Sequence, residues 1–156
     1  MPDVGAGGSS AVRVVGVDLG ERRIGVAVSD GTGTLASPRC TLERTGDDTA
    51  DRIALASVIQ ELGAQRVVVG LPLSLNGRRG PAAKAAQADA DELAKVLAPH
   101  GVAVETFDER LTTVSATRSL REAGRRGRAQ RSRIDQSAAA VLLQAWLDTA
   151  RGPSRA

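Results

Sequence analysis

Two short apolar runs decide what this chain can become. Val12–Leu19 (Val-Arg-Val-Val-Gly-Val-Asp-Leu) and Arg66–Leu71 (Arg-Val-Val-Val-Gly-Leu) are rich in β-branched side chains and too short for helices. Apolar residues fall on both sides of each run, which is the pattern of strands buried in the middle of a sheet. Gly20-Glu21-Arg22 supplies a turn after the first, and Arg23–Ser29 (Arg-Ile-Gly-Val-Ala-Val-Ser) reads as its hairpin partner. A third strand is expected between Thr34 and Leu42, and a fifth over Val102–Phe107.

Helices are expected between and after these strands. Leu55, Val58, Ile59 and Leu62 follow the helical repeat within 47–62, and Gly63 is placed to stop it. Pro81 suits a first helical residue, and Ala86, Ala90, Leu93 and Leu97 form the stripe of a second helix. A weaker helix is expected over 113–123. A final one runs from about Asp135 to Thr149, with Ala138, Val141, Leu142, Ala145 and Trp146 on one face. A three-strand meander followed by strand–helix alternation implies an α/β fold with a mixed five-stranded sheet: an antiparallel meander, then parallel strands, with helices on both faces. The expected division is a Gly/Ser-rich tail over 1–11, one domain over 12–150 and a short polar tail over 151–156.

Composition removes several classes of function. No run approaches the ~18 apolar residues that span a bilayer, so no membrane role is expected. One histidine, His100, and one cysteine, Cys40, exclude an ordinary zinc site and any internal disulfide, which suits a reducing, cytoplasmic compartment. Cys40 could join two chains, which leaves a homodimer open, although a lone cysteine near a strand is more often a small buried residue. The net charge is +3, but arginines 118, 121, 125, 126, 128, 131 and 133 face a single acid, Glu122, within sixteen positions. Such a segment points to a polyanion, nucleic acid first, against the plainer reading of a solvated arginine loop.

Ligands of parallel sheets bind beyond the carboxyl ends of the strands, and three acids stand near that edge. Asp18 interrupts a buried strand, where an ionised carboxylate without compensation costs several kcal/mol; the plainer reading makes it the opening of the Gly20 turn. Asp108 and Glu109 end the fifth strand, and alternation lets only one of them face a given site, while Arg110 is available to hold the other. Asp135 precedes the last helix and, by itself, reads as an N-cap. Three carboxylates brought together are tolerable only around hard cations, Mg²⁺ or Mn²⁺, of the kind that activate water against a phosphodiester.

Four blocks carry a resemblance: Val-Asp-Leu-Gly-Glu-Arg-Arg-Ile-Gly-Val-Ala-Val (17–28), Val-Val-Gly-Leu-Pro-Leu-Ser-Leu-Asn-Gly (68–77), Asp-Glu-Arg-Leu-Thr-Thr (108–113) and Ile-Asp-Gln-Ser-Ala-Ala (134–139). In that order they resemble the YqgF/RuvX family of pre-16S rRNA nucleases, also described as Holliday-junction-resolvase-like. The resemblance implies a ribonuclease H-like fold and a metal-dependent nuclease acting in maturation of the 5′ end of small-subunit ribosomal RNA. It makes Asp18, Glu109 and Asp135 the catalytic, metal-holding acids, with Asp108 competing for the second place. In the mechanism it suggests, Asp18 bridges two Mg²⁺ or Mn²⁺ ions, Arg22, Arg23 and Arg110 position phosphates, and Arg125, Arg126, Arg128 and Arg131 add salt-sensitive affinity. Asn76, Arg78 and Arg79 could add selectivity, though a polar glycine loop is as often a mere connection. The rivals are a branched-DNA resolvase with the same acids, a non-catalytic RNA-binding assembly factor, and an actin-like nucleotide-binding protein. The last would need two lobes, which one domain of this size does not provide.

Overall fold

The computed structural model describes residues 12–72, 78–111 and 128–151, with the side chains of 111, 128–136 and 151 left aside. The expected tail over 1–11, the helix expected at 113–123 and Asn76 lie outside the described residues, as does the expected tail over 151–156 except for Arg151, which ends the last helix. Five strands are present: β1 (Val14–Leu19), β2 (Arg23–Ser29), β3 (Ala36–Glu43), β4 (Arg66–Leu71) and β5 (Ala103–Asp108). They form one sheet in the order β3-β2-β1-β4-β5, antiparallel through the meander and parallel from β1 to β4 and β5. This is the mixed sheet expected from the sequence, with the two apolar runs side by side at its centre.

Alternation along the central strands divides the core. Val15 and Val17 of β1, with Val67 and Val69 of β4, face α1 (Asp48–Glu61) and α2 (Pro81–Leu97), where Leu55, Ile59, Leu93 and Leu97 complete the larger cluster. The opposite face carries Val14, Ala27 and Val68 against Ala139, Leu143 and Leu147 of α3 (Arg128–Arg151). Asp47 caps α1 by accepting a hydrogen bond from the Ala50 amide at 3.1 Å. Gly101, at φ +74°, turns the chain after the 3₁₀ turn of Ala98–His100 in a conformation a side chain would strain.

Two expectations for the last helix change. It begins at Arg128, not at Asp135, so Asp135 sits two turns inside it and is not its N-cap, and Arg128 and Arg131 are helical rather than part of a loop. Its buried positions are Ala138, Ala139, Leu142, Leu143 and Leu147, whereas Val141, Ala145 and Trp146 are only half-buried. The physical reason is the sheet beneath: the helix sits over small residues and turns its leucines, not its tryptophan, into the centre. Trp146 lies toward the β5 edge, donates from Nε1 to Glu105 Oε2 at 2.8 Å, and stacks with Arg66 at 6.0 Å.

The helix approaches β1 because Gly16 has no side chain. A Cβ there would stand 2.7 Å from Leu143 Cβ and 3.0 Å from the Ala139 carbonyl oxygen. Gly16→Val is therefore expected to destabilise the fold by about 1–3 kcal/mol, the cost of overpacking a filled contact, read as a lower urea midpoint.

Candidate active site

Asp18 stands at the carboxyl end of the central strand, on the face that α3 covers. Its antiparallel neighbour is Gly25, and continuing the parallel register one residue past Val17↔Val69 places Gly70 on its other side. Both flanking positions thus lack side chains, and the carboxylate stands in a glycine-walled trough. Asp18 is only 1% exposed. An acid here contributes nothing to apolar packing and costs desolvation, so stability alone does not account for it.

Glu109 reaches the same trough. It opens the 3₁₀ turn Glu109–Leu111 that follows β5, and its Cγ and Cδ lie 3.1 Å from where a Cβ on Gly70 would be. Gly70 therefore gives up its side-chain volume to the glutamate, which is 4% exposed. Oδ2 of Asp18 and Oε2 of Glu109 are fully buried and accept no hydrogen bond among the described residues, although neither residue is electrostatically isolated.

Asp108 is occupied elsewhere. Arg110 donates from its backbone amide to Oδ1 at 2.9 Å, from Nε to both oxygens at 3.0 Å, and from Nη2 to Oδ2 at 2.6 Å. That guanidinium holds the Asp108 carboxyl below its ordinary range, and the carboxylate in turn pushes the arginine up. The end of β5 thus splits its two acids, one pinned by Arg110 and the other buried against Gly70.

The position of Asp135 follows from the helix. Gln144 accepts from the Ala36 amide near the Val14 end of β1, whereas Ala138 and Leu142 pack with Phe107, which pairs with Gly70 beside Asp18. Helix α3 therefore runs antiparallel to β1, and residue 135 lies one turn beyond Ala139 toward the Asp18 end. Two residues of strand advance ~6.6 Å and one helical turn ~5.4 Å, so the steps from Gly16 to Asp18 and from Ala139 to Asp135 nearly match. Its side chain lies outside the described residues, as do Arg125, Arg126 and the side chains of Arg128 and Arg131. Among the described residues, no three acidic, histidine or cysteine side chains gather as a metal centre.

The remaining expected cations occupy different settings. Arg22 is exposed on the turn after β1; Arg23 is largely covered and lies 4.0 Å from Glu43; Arg78 and Arg79 are exposed before α2. Cys40 is half-buried on β3, and burial pushes its thiol up, which leaves little reactive thiolate at neutral pH. Sequence reasoning did not single out Asp51, a further buried acid. It accepts from the Thr45 amide and, at 2.8 Å, from Thr45 Oγ1, closing the loop before α1. Nor did it single out Gly25 and Gly70. Their signal was present: each is a lone glycine inside a strand, a mark of close approach by another group.

A ribonuclease H-like sheet with two acids buried at its central carboxyl edge defines the class. Among solved structures, Thermus thermophilus RuvC in complex with a Holliday junction substrate shares the fold, with a TM-score of 0.57 and 16% identity over 90% of this chain and 96% of that one. The sequence profile of the RuvX family, described as Holliday junction resolvase, matches residues 12–149. Proteins named "Putative pre-16S rRNA nuclease" are close in sequence. That of Mycobacterium sp. (strain KMS) is 49% identical, over 97% of this chain and 89% of its own length, and that of Myxococcus xanthus (strain DK1622) is 49% identical, over 91% of each. The chain belongs to the RuvX family, and is a nuclease by that membership.

Two outcomes follow from the geometry. In Arg110→Ala the Asp108 carboxyl should titrate higher, toward the ordinary ~3.9, in a carbon-detected NMR titration. The sign is fixed: Arg110 favours the charged form, so the pair supports the fold above that range and ceases to do so as pH falls through the depressed value. Gly70→Ala should displace the Glu109 carboxylate by a few tenths of an ångström and lower cleavage by about tenfold, with a smaller change in melting temperature.

Proposed function

We propose that this chain is a divalent-metal-dependent nuclease that cuts precursor 16S ribosomal RNA during maturation of its 5′ end, in the cytoplasm. What carries the reading is the pair of carboxylates, Asp18 and Glu109, buried side by side in the glycine trough at the edge where parallel sheets bind ligands. The substrate follows the names of the relatives. Asp135, on α3, is the third acid of the set.

The donor chemistry fits a hard cation. Carboxylate oxygens without nearby histidine or cysteine suit Mg²⁺ or Mn²⁺, and Asp18, Glu109 and Asp135 would hold it. Such ions, when bound, polarise a water and steady the leaving oxygen of a phosphodiester. The chain's own part is placement. Asp18 is fixed by a strand paired on both sides, and Glu109 by its seat on Gly70. Arg22, Arg23 and Arg110 set backbone phosphates near this edge, Arg110 while joined to Asp108. Arg125, Arg126, Arg128 and Arg131 supply affinity that is independent of sequence and falls steeply with salt. With Phe107 and Trp146 packed against α3 and β5, the described residues give bases little aromatic surface to stack on, so backbone shape selects the substrate.

A second substrate, branched DNA, is favoured by the description of the matched family, and one experiment separates the two. Precursor 16S rRNA, single-stranded RNA and a four-way DNA junction are incubated with Mg²⁺ or Mn²⁺ and with wild type, Asp18→Asn or Asp135→Asn. Cleavage of the precursor RNA, reduced about a hundredfold or more in either variant, is the expected result. Preference for the junction would replace the RNA substrate, and unaltered cutting by both variants would remove the acids from the chemistry.

A further inference from the structure

Arg44 has no part in the acid trough, yet it is tied to the turn that leaves it. Its backbone amide donates to the Arg22 carbonyl at 2.8 Å, and its Nε donates to the Gly20 carbonyl at 2.7 Å. The Gly20 amide in turn donates to the Arg23 carbonyl at 2.9 Å. The guanidinium is anchored at its far end, with Nη2 3.6 Å from Asp89 on α2 and Nη1 4.0 Å from Asp48 on α1. Asp89 also meets Arg52 of α1 at 3.4 Å. The Arg44 side chain is 17% exposed and that of Asp89 27%, so this contact is partly shielded from solvent, whereas Asp48 is exposed. Its reach spans three elements that no backbone pairing joins.

The turn it clamps begins two residues after Asp18 and carries Arg22 into solvent. Turn and clamp together line an open groove of about 430 Å³, to which Glu21, Arg22, Arg23, Arg44, Gly46 and Asp48 contribute. A glycine-led turn holding an arginine would sample many positions without such a clamp. We propose that Arg44 is a positioning residue for substrate binding: it locks the β1–β2 turn against α1 and α2, so that Arg22 meets the phosphate backbone from one fixed place. Lysine is not equivalent, because one ammonium cannot hold the Gly20 carbonyl through Nε geometry while its far end meets two carboxylates.

This inference rests on the nuclease reading of the Asp18 edge, and the test separates the two. Steady-state cleavage of precursor 16S rRNA with Mn²⁺ is measured for the full chain, Arg44→Gln, Arg44→Lys, Arg22→Ala, the Arg22→Ala/Arg44→Gln pair and Asp18→Asn. RNA binding is measured in parallel by fluorescence anisotropy. Arg44→Gln and Arg44→Lys are expected to raise KM, and weaken binding, about three- to tenfold with kcat within about twofold. In the Arg22→Ala background, Arg44→Gln should add no further loss, because the two act through one contact.

A purely structural role would instead lower the folded fraction, reducing kcat at unchanged KM; that result, or additive KM effects in the double variant, overturns the proposal. Should Arg44→Gln fail to fold, Arg44→Lys and Asp89→Asn, which removes one anchor, give the same comparison. Cleavage that survives Asp18→Asn would refute the catalytic reading alone, since the anisotropy comparison still decides the role of Arg44.

Discussion

The structure turns on the close seating of one helix against glycines. α3 can reach the sheet because Gly16 leaves room for Leu143 and Ala139, and the space continues along the same face to Gly25 and Gly70. Close packing of that kind is unforgiving, as a missing or added methyl group is felt throughout a filled interior. It also leaves a trough at the strand ends where apolar packing stops. Asp18 and Glu109 occupy that trough and bear the desolvation that burial imposes on a carboxylate.

The two faces of the sheet divide the work. Toward α1 and α2 lies a large valine- and leucine-rich cluster, with Val15, Val17, Val67 and Val69 all buried. Toward α3 the helix sits close over small residues at the centre, which give way to acids at the edge. The larger apolar cluster lies on the first face, and the second carries, besides its own packing, groups that do not stabilise. Such a separation is what allows a local rule, no unsupported charge inside a strand, to be broken without loss of the fold.

Arginines serve both parts in different ways. Arg110 neutralises Asp108 and so leaves Glu109, in the turn after β5, as the acid that enters the trough. Arg44 and Arg52 join α1, α2 and the β1–β2 turn through Asp48 and Asp89. Arg66 instead faces Glu105 and Trp146 near the β5 edge. The planar, forked guanidinium suits each of these settings, because it can bind a carboxylate or a carbonyl from several directions while keeping its charge.

The five strands, the antiparallel meander followed by parallel strands, and the stripes of α1 and α2 were readable from residue pattern, because buried strands and amphipathic helices must repeat at two and 3.6 residues. Asp18 was conspicuous for the same reason, as a charge where the pattern demands none. The choice between Asp108 and Glu109 was not readable, since adjacent residues at a strand end have equal local claims; the bond to Arg110 and the space above Gly70 separate them only in three dimensions. The start of α3 was misjudged because Asp135 has the chemistry of a cap, and the arginines before it gave no apolar period to extend the helix. Local pattern thus determined which segments fold as strands and which as helices, since those preferences act between near neighbours. Which face of α3 is buried, and which acids share a trough, depended on contacts between residues far apart in the chain, whose fit exists only after the helix has docked.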